Sequence, residues 1–216
     1  MPVALYLAAT NKAAILANDN NQSALGKRAK TAARAVVALS IEGAAGAIHL
    51  PAIETVLLET TADLSGFDAV IFTSKQAVKA LDRLDSAWKK LKVFTIGAAT
   101  SKAVTNLGGS VFFESRVALG DKLAEAIAAR HSDLRFFYPR AREVLGDLEG
   151  ILARKNVACQ SLAIYETRAK AIDVSLIPND AAIVFTSPSV VKSFFAQTAW
   201  QSGWRAIALG KSAAKA

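Results

Sequence analysis

Residues 67–81 read FDAVIFTSKQAVKAL and residues 181–195 read AAIVFTSPSVVKSFF, two apolar runs that break at the same Phe-Thr-Ser and resume at helical spacing. This repeat constrains the fold more than any other feature of the chain. Thr73 and Thr186 stand 113 positions apart, and so do Gly97 of TIGAATSKAV and Gly210 of ALGKSAAKA. The same offset matches Phe72 with Phe185, Ser74 with Ser187, Lys79 with Lys192 and Lys102 with Lys215, and a nearly equal one brings AIET at 52–55 onto IYET at 164–167. Several motifs repeated in one order imply two related halves.

An apolar run that gives way to small hydroxyl residues and then to helical spacing is a buried strand, a turn and a helix. Ser187 or Thr186 is suited to cap the second helix, and Pro188 to its first turn, where the missing amide had no partner. The same reading along the chain predicts strands at 3–8, 45–49, 69–72, 93–96, 110–113, 134–138, 157–161, 181–185 and 205–209. It predicts helices at 28–41, 75–85, 98–107, 119–130, 143–154 and 188–198. Strands alternating with helices imply an α/β fold with right-handed crossovers and a mainly parallel sheet in each half. Ligands of such sheets bind beyond the carboxyl ends of the strands, where the Thr-Ser and Ile-Gly turns fall. The unpaired amides that open each helix suit a carboxylate or phosphate there, and a glycine at 97 or 210 lets the backbone approach it.

Composition narrows the function. At 216 residues and 52% hydrophobic content the chain can bury a substantial core as one large or two small domains. No apolar run reaches bilayer length, and residues 2–9 lack the basic start of a secretory signal, so a cytoplasmic location is expected. The single cysteine, Cys159, excludes an internal disulfide and reads as a small buried hydrophobe. A net charge of +8 calls for an anionic partner, whether nucleic acid, lipid, polycarboxylate or phosphate. The basic groups Lys27, Arg28, Lys30 and Arg34, then Lys89, Lys90 and Lys92, are explained by helical faces and carry no interleaved aromatic residues, so nucleic-acid binding is not expected.

Much catalytic chemistry has no anchor in the sequence. His49 and His131 lack companions at ligand spacing, so no metal site is expected. Residues 146–150, GDLEG, read as a helix surface rather than a nucleotide cradle, and no nucleophile elbow occurs. An enzyme built from these residues would work by folding and orienting its substrate and by hydrogen bonds.

In order along the chain, LPAIET, FDAVIFTSKQAVKAL, TIGAATSKAV, LAIYETRA and AAIVFTSPSVVKSFF resemble the uroporphyrinogen-III synthase family over about residues 45–216. The basic segment from Lys27 to Thr55 is also similar to the family's first helix and following strand. The resemblance implies two flavodoxin-like lobes, one from 54–162 and one from 1–49 with 169–216, joined by extended connectors at 50–53 and 163–168. It implies a cyclising lyase that acts on hydroxymethylbilane, a linear tetrapyrrole carrying acetate and propionate groups, as a monomer and without a cofactor. Loss of the terminal hydroxyl gives an azafulvene cation, attack through the substituted position of ring D gives a spiro-pyrrolenine, and reclosure leaves that ring inverted.

Carried over by position, Tyr165 matches the family tyrosine that helps the hydroxyl leave. Thr73, Ser74, Gly97 and Thr100 match the binding turns of one lobe, and Thr186, Ser187, Gly210 and Ser212 those of the other. Arg140 and Arg142 are placed to meet carboxylates. Helix capping accounts equally for the serines and threonines, and a solvated helix start for the arginines. The repeat also predicts a further strand and helix after Gly210, where six residues remain, so the second lobe is expected to be incomplete, with an open sheet edge beside 205–209. An alternative reading is a non-catalytic two-lobed binding protein for a polycarboxylate anion.

Overall fold

A computed structural model describes residues 5–6, 35–115, 117, 119–144, 146–209 and 211–216. In chain order the first elements are β1 (Leu5–Tyr6), β2 (Val36–Ala38), β3 (Ile48–His49), β4 (Ile53–Leu57), β5 (Ala69–Phe72) and α1 (Lys75–Leu84). They are followed by β6 (Lys92–Ile96), α2 (Gly97–Asn106), β7 (Val111–Ser115), α3 (Gly120–Arg130), β8 (Phe136–Ala141) and α4 (Leu148–Arg154). The last are β9 (Cys159–Ala169), β10 (Ala182–Phe185), α5 (Pro188–Phe195), β11 (Arg205–Ala208) and α6 (Lys211–Lys215). The chain divides into two compact units, one spanning Thr55–Glu166 and the other formed by the described residues up to Glu54 with Thr167–Ala216.

The Thr55–Glu166 unit is organised by a six-stranded sheet in the order β4-β9-β8-β5-β6-β7. Strand β5 pairs in parallel with β6 and β8, as β6 does with β7 and β8 with β9. All four residues of β5 are buried, which a strand covered on both faces requires. Val70 and Phe72 pack on one face with Val78, Leu81, Trp88 and Val104. Ala69 and Ile71 pack on the other with Leu123, Ile127, Leu148 and Leu152. The period-2 alternation of a strand thus divides one apolar run between two helical layers.

The other unit carries a five-stranded sheet in the order β1-β11-β10-β2-β3, parallel in every pair. Its core gathers Val37, Leu39, Ile183, Phe185, Val190, Phe194 and Trp204. Under the repeat β10 corresponds to β5 and β11 to β6, and the inner neighbour of each pair, β2 or β8, takes the same place.

Three expectations are corrected. The helix expected over 28–41 is a strand at Val36–Ala38, while 28–34 lie outside the described residues. Consecutive β-branched Val36 and Val37 suit the sheet, and with Ala38 they pair in register with Ala182, Ile183 and Val184 of β10. Helix α4 begins at Leu148 rather than 143, because Gly146 takes φ +96 and Asp147 caps the helix by accepting from the Gly150 amide. The sheet edge expected to lie open is paired: β1 lies along β11, with Leu5 opposite Ile207 and Tyr6 opposite Ala208. Two extended stretches are also longer than expected, since β4 is a true strand and β9 runs eleven residues through the stretch assigned as a connector.

Candidate functional site

The chemistry of the Thr55–Glu166 unit gathers at the carboxyl ends of β5, β6, β8 and β9. After Phe72 the strand ends, and Ser74, in extended conformation at φ −155 and ψ 153, caps α1 by accepting from the Ala77 amide at 3.0 Å. Its Oγ also lies 2.8 Å from the Tyr165 hydroxyl, which β9 delivers from 91 residues further along. Thr73, one residue earlier, lies 3.3 Å from the hydroxyl of Tyr138 in the middle of β8. Sequence reasoning missed Tyr138, because only the strand pairing places it beside the Thr-Ser turn.

Both phenols are buried, Tyr165 being 6% exposed and Tyr138 4%. Burial raises the Tyr165 pKa above the ordinary phenol value; the Ser74 hydrogen bond opposes that rise and Tyr138 adds to it. Tyr138 is raised chiefly by burial as well, opposed by the Thr73 hydrogen bond and by Arg140. Each phenol therefore keeps its proton throughout the neutral range and acts as a hydrogen-bond donor or acceptor without charge.

Gly97 opens α2 at the end of β6 with φ +66, a left-handed conformation that favours glycine, and a Cβ there would meet nothing within 4 Å. The turn therefore leaves open space beside its backbone. Thr100 lies one turn further on and is buried. The arginines are engaged by the protein itself. Arg140 donates to Ser161 Oγ at 3.2 Å and to the Ala141 carbonyl at 3.0 Å, and its Nε lies 3.4 Å from Glu149. Arg142 pairs with Glu166 at 2.5 Å, and its amide donates to the Tyr165 carbonyl at 2.8 Å, which anchors the strand beside the phenol.

In the other unit Ser187 repeats the geometry of Ser74, at φ −157 and ψ 162, and accepts from the Val190 amide at 3.4 Å, with Pro188 in the first turn of α5. Thr186 is half-buried beside it, Ser212 is exposed in α6, and Gly210 lies outside the described residues.

A hollow of about 490 Å³ lined by Asp63, Ser65, Arg135, Cys159 and Gln160 sits at the amino ends of β5, β8 and β9. That is the wrong end of a parallel sheet for helix amides to converge on a ligand. Burial pushes the Cys159 thiol up to about 12, leaving it unreactive as a nucleophile at neutral pH. Among the described residues no three His, Cys, Asp or Glu side chains gather as a metal would require, and no helix is long and apolar enough to cross a membrane.

The family model described as "Uroporphyrinogen-III synthase HemD" matches residues 33–216. Among solved structures, uroporphyrinogen-III synthetase from Helicobacter pylori is similar at 23% identity and a TM-score of 0.67, over 82% of this chain and 84% of that one. Uroporphyrinogen III synthase from Thermus thermophilus is 15% identical with a TM-score of 0.47, over 83% of this chain and 85% of that one. The first likeness shows a shared fold. The search of curated proteins gave no match.

Proposed function

The chain belongs to the uroporphyrinogen-III synthase family, and from that membership we propose that Tyr165 and the Thr73-Ser74 turn form the part of its active site that starts the reaction. The enzyme is a cyclising lyase of tetrapyrrole biosynthesis that acts on hydroxymethylbilane. The hydroxymethyl C–O bond breaks, the oxygen leaves as water with a proton, and the pyrrole nitrogen's electron pair forms the azafulvene cation. Attack by the substituted position of ring D, fragmentation and reclosure invert that ring. The proton taken by the leaving water is balanced by the one lost when the last pyrrole regains aromaticity.

The observation that carries the site reading is the buried Tyr165 phenol held 2.8 Å from Ser74 at the carboxyl end of the parallel sheet. A phenol that stays protonated donates a hydrogen bond to the departing oxygen, and its buried setting strengthens that bond. The amide-rich helix starts at Thr73 and Gly97, with Thr100, and the one at Thr186 and Ser187 bind substrate carboxylates, and by their match to the family pattern Gly210 and Ser212 do the same. Arg140 and Arg142 contribute positive potential while remaining tied to Glu149 and Glu166. In this reading one lobe spans about 54–162 and the other combines the two ends of the chain. The enzyme works as a cytoplasmic monomer without a cofactor.

The test is turnover by Tyr165→Phe. A fall of about 10²-fold, with a loss of stability no larger than the net worth of one hydrogen bond, about 0.5–1.5 kcal/mol, supports the reading. Full activity removes the phenol from the mechanism.

A further inference from the structure

We propose that Ser74 is a positioning residue that fixes the direction of the Tyr165 hydroxyl, so that the phenol's single hydrogen is presented to the substrate's departing oxygen. The inference rests on the role given to Tyr165 above, and it assigns Ser74 a task other than binding a carboxylate.

The geometry leaves one ordered arrangement. A serine hydroxyl has one hydrogen to donate and two lone pairs to accept with. One acceptor position of Ser74 is taken by the Ala77 amide at 3.0 Å, and that amide, in the first turn of α1, has no partner within its own helix. The other contact of Ser74 Oγ among the described residues is the Tyr165 oxygen at 2.8 Å. If Ser74 donates there, its hydrogen has an acceptor and the chain runs amide to serine to tyrosine, with every bond pointing the same way. The partial positive charge at the start of α1 favours that polarity, and aligned bonds strengthen one another. Were Tyr165 to donate instead, the serine would accept twice and its own hydrogen would be left without an acceptor among the described residues. In the favoured polarity the Tyr165 oxygen is satisfied by Ser74, and its hydrogen remains for the leaving hydroxyl.

Substitutions at Ser74 separate this from capping. Ser74→Thr keeps both hydroxyl and cap. Ser74→Asp caps at least as well but only accepts, so it captures the Tyr165 hydrogen, whereas Ser74→Gly retains most of the capping stability and offers no hydroxyl. Ser74→Asp and Ser74→Gly are expected to lower kcat by roughly tenfold or more at nearly unchanged KM while the chain still folds, with Ser74→Thr restoring turnover. The phenolate absorbance of Tyr165, isolated by subtracting the titration of Tyr165→Phe, should move to higher pH in Ser74→Gly, because the serine bond holds that phenol down. Wild-type kcat in both Ser74→Asp and Ser74→Gly, alongside a slow Tyr165→Phe, would overturn the positioning role alone. Wild-type kcat in Tyr165→Phe as well would overturn the tyrosine reading with it.

Discussion

The Tyr138 hydroxyl lies 3.3 Å from Thr73 Oγ1, one residue along the chain from the Ser74–Tyr165 pair. Successive side chains at a strand end turn to opposite faces, so Tyr138 packs with Ile71, Phe94 and Phe136 while Tyr165 packs with Val70, Phe72 and Phe137. One Thr-Ser turn thus holds two buried phenols, one from each layer. Only the Tyr165 phenol connects through a capping serine to the start of a helix.

Tyr138→Phe is therefore expected to cost about 0.5–1.5 kcal/mol of stability, the net worth of one hydrogen bond, and to reduce turnover less than Tyr165→Phe. Denaturant unfolding and kcat of the two variants, measured side by side, check this. An equal or larger loss of turnover in Tyr138→Phe would shift the leaving-group role toward Tyr138.

The raised phenols give the fold an alkaline limit. Both lose their protons at higher pH in the folded chain than the ordinary value of 10.0. The unfolded chain ionises first, so their contribution is fully present below about pH 10 and is lost as pH climbs through the folded values. Melting temperature against pH should fall on that alkaline limb, and less steeply in Tyr138→Phe and Tyr165→Phe. An identical limb in the wild type and both variants would contradict the assignment.

Two glycines should respond to alanine for different reasons. At Gly97 the cost comes from φ +66, since a Cβ meets open space, and about 1–2 kcal/mol is expected. At Gly109 a Cβ would run into the ring of Trp88, which is fully buried, and meet Val104 as well. Overpacking there is expected to cost about 1–3 kcal/mol and to change the tryptophan fluorescence. Gly97→Ala should leave that emission unchanged. A Gly109→Ala chain that melts like its parent would contradict the packing around Trp88.

Cys159 is expected to resist alkylation while the chain is folded. With its thiol raised to about 12, its thiolate fraction near pH 8 falls on the order of 10³-fold below that of a free cysteine. Iodoacetamide labelling before and after unfolding measures the difference, and prompt labelling of the folded chain would contradict the raised thiol pKa of this half-buried cysteine.

Much of this architecture was legible because it is written locally. The break from VIF or IVF to Thr-Ser is a property of five or six adjacent residues, and both caps form at Ser74 and Ser187 with nearly equal backbone angles. What escaped the sequence depends on distant partners. Residues 35–39 read AVVAL, an unbroken apolar run, so periodicity cannot tell helix from strand until β10 offers its edge. Likewise Leu5–Tyr6 finds β11 some two hundred residues away, which no local pattern encodes. Tyr138 sits in an ordinary apolar strand, and its relation to Thr73 exists only because β8 pairs with β5. The arginines were legible as basic groups, but not their capture by Glu149 and Glu166.

The most direct test is isomer analysis of the porphyrin formed when the purified chain is given fresh hydroxymethylbilane beside an enzyme-free control. Uncatalysed closure gives the uninverted type I product, so type III in excess of the control is the expected result. Type I alone, from a chain shown to be folded, would contradict the assignment of this chain as a ring-inverting synthase.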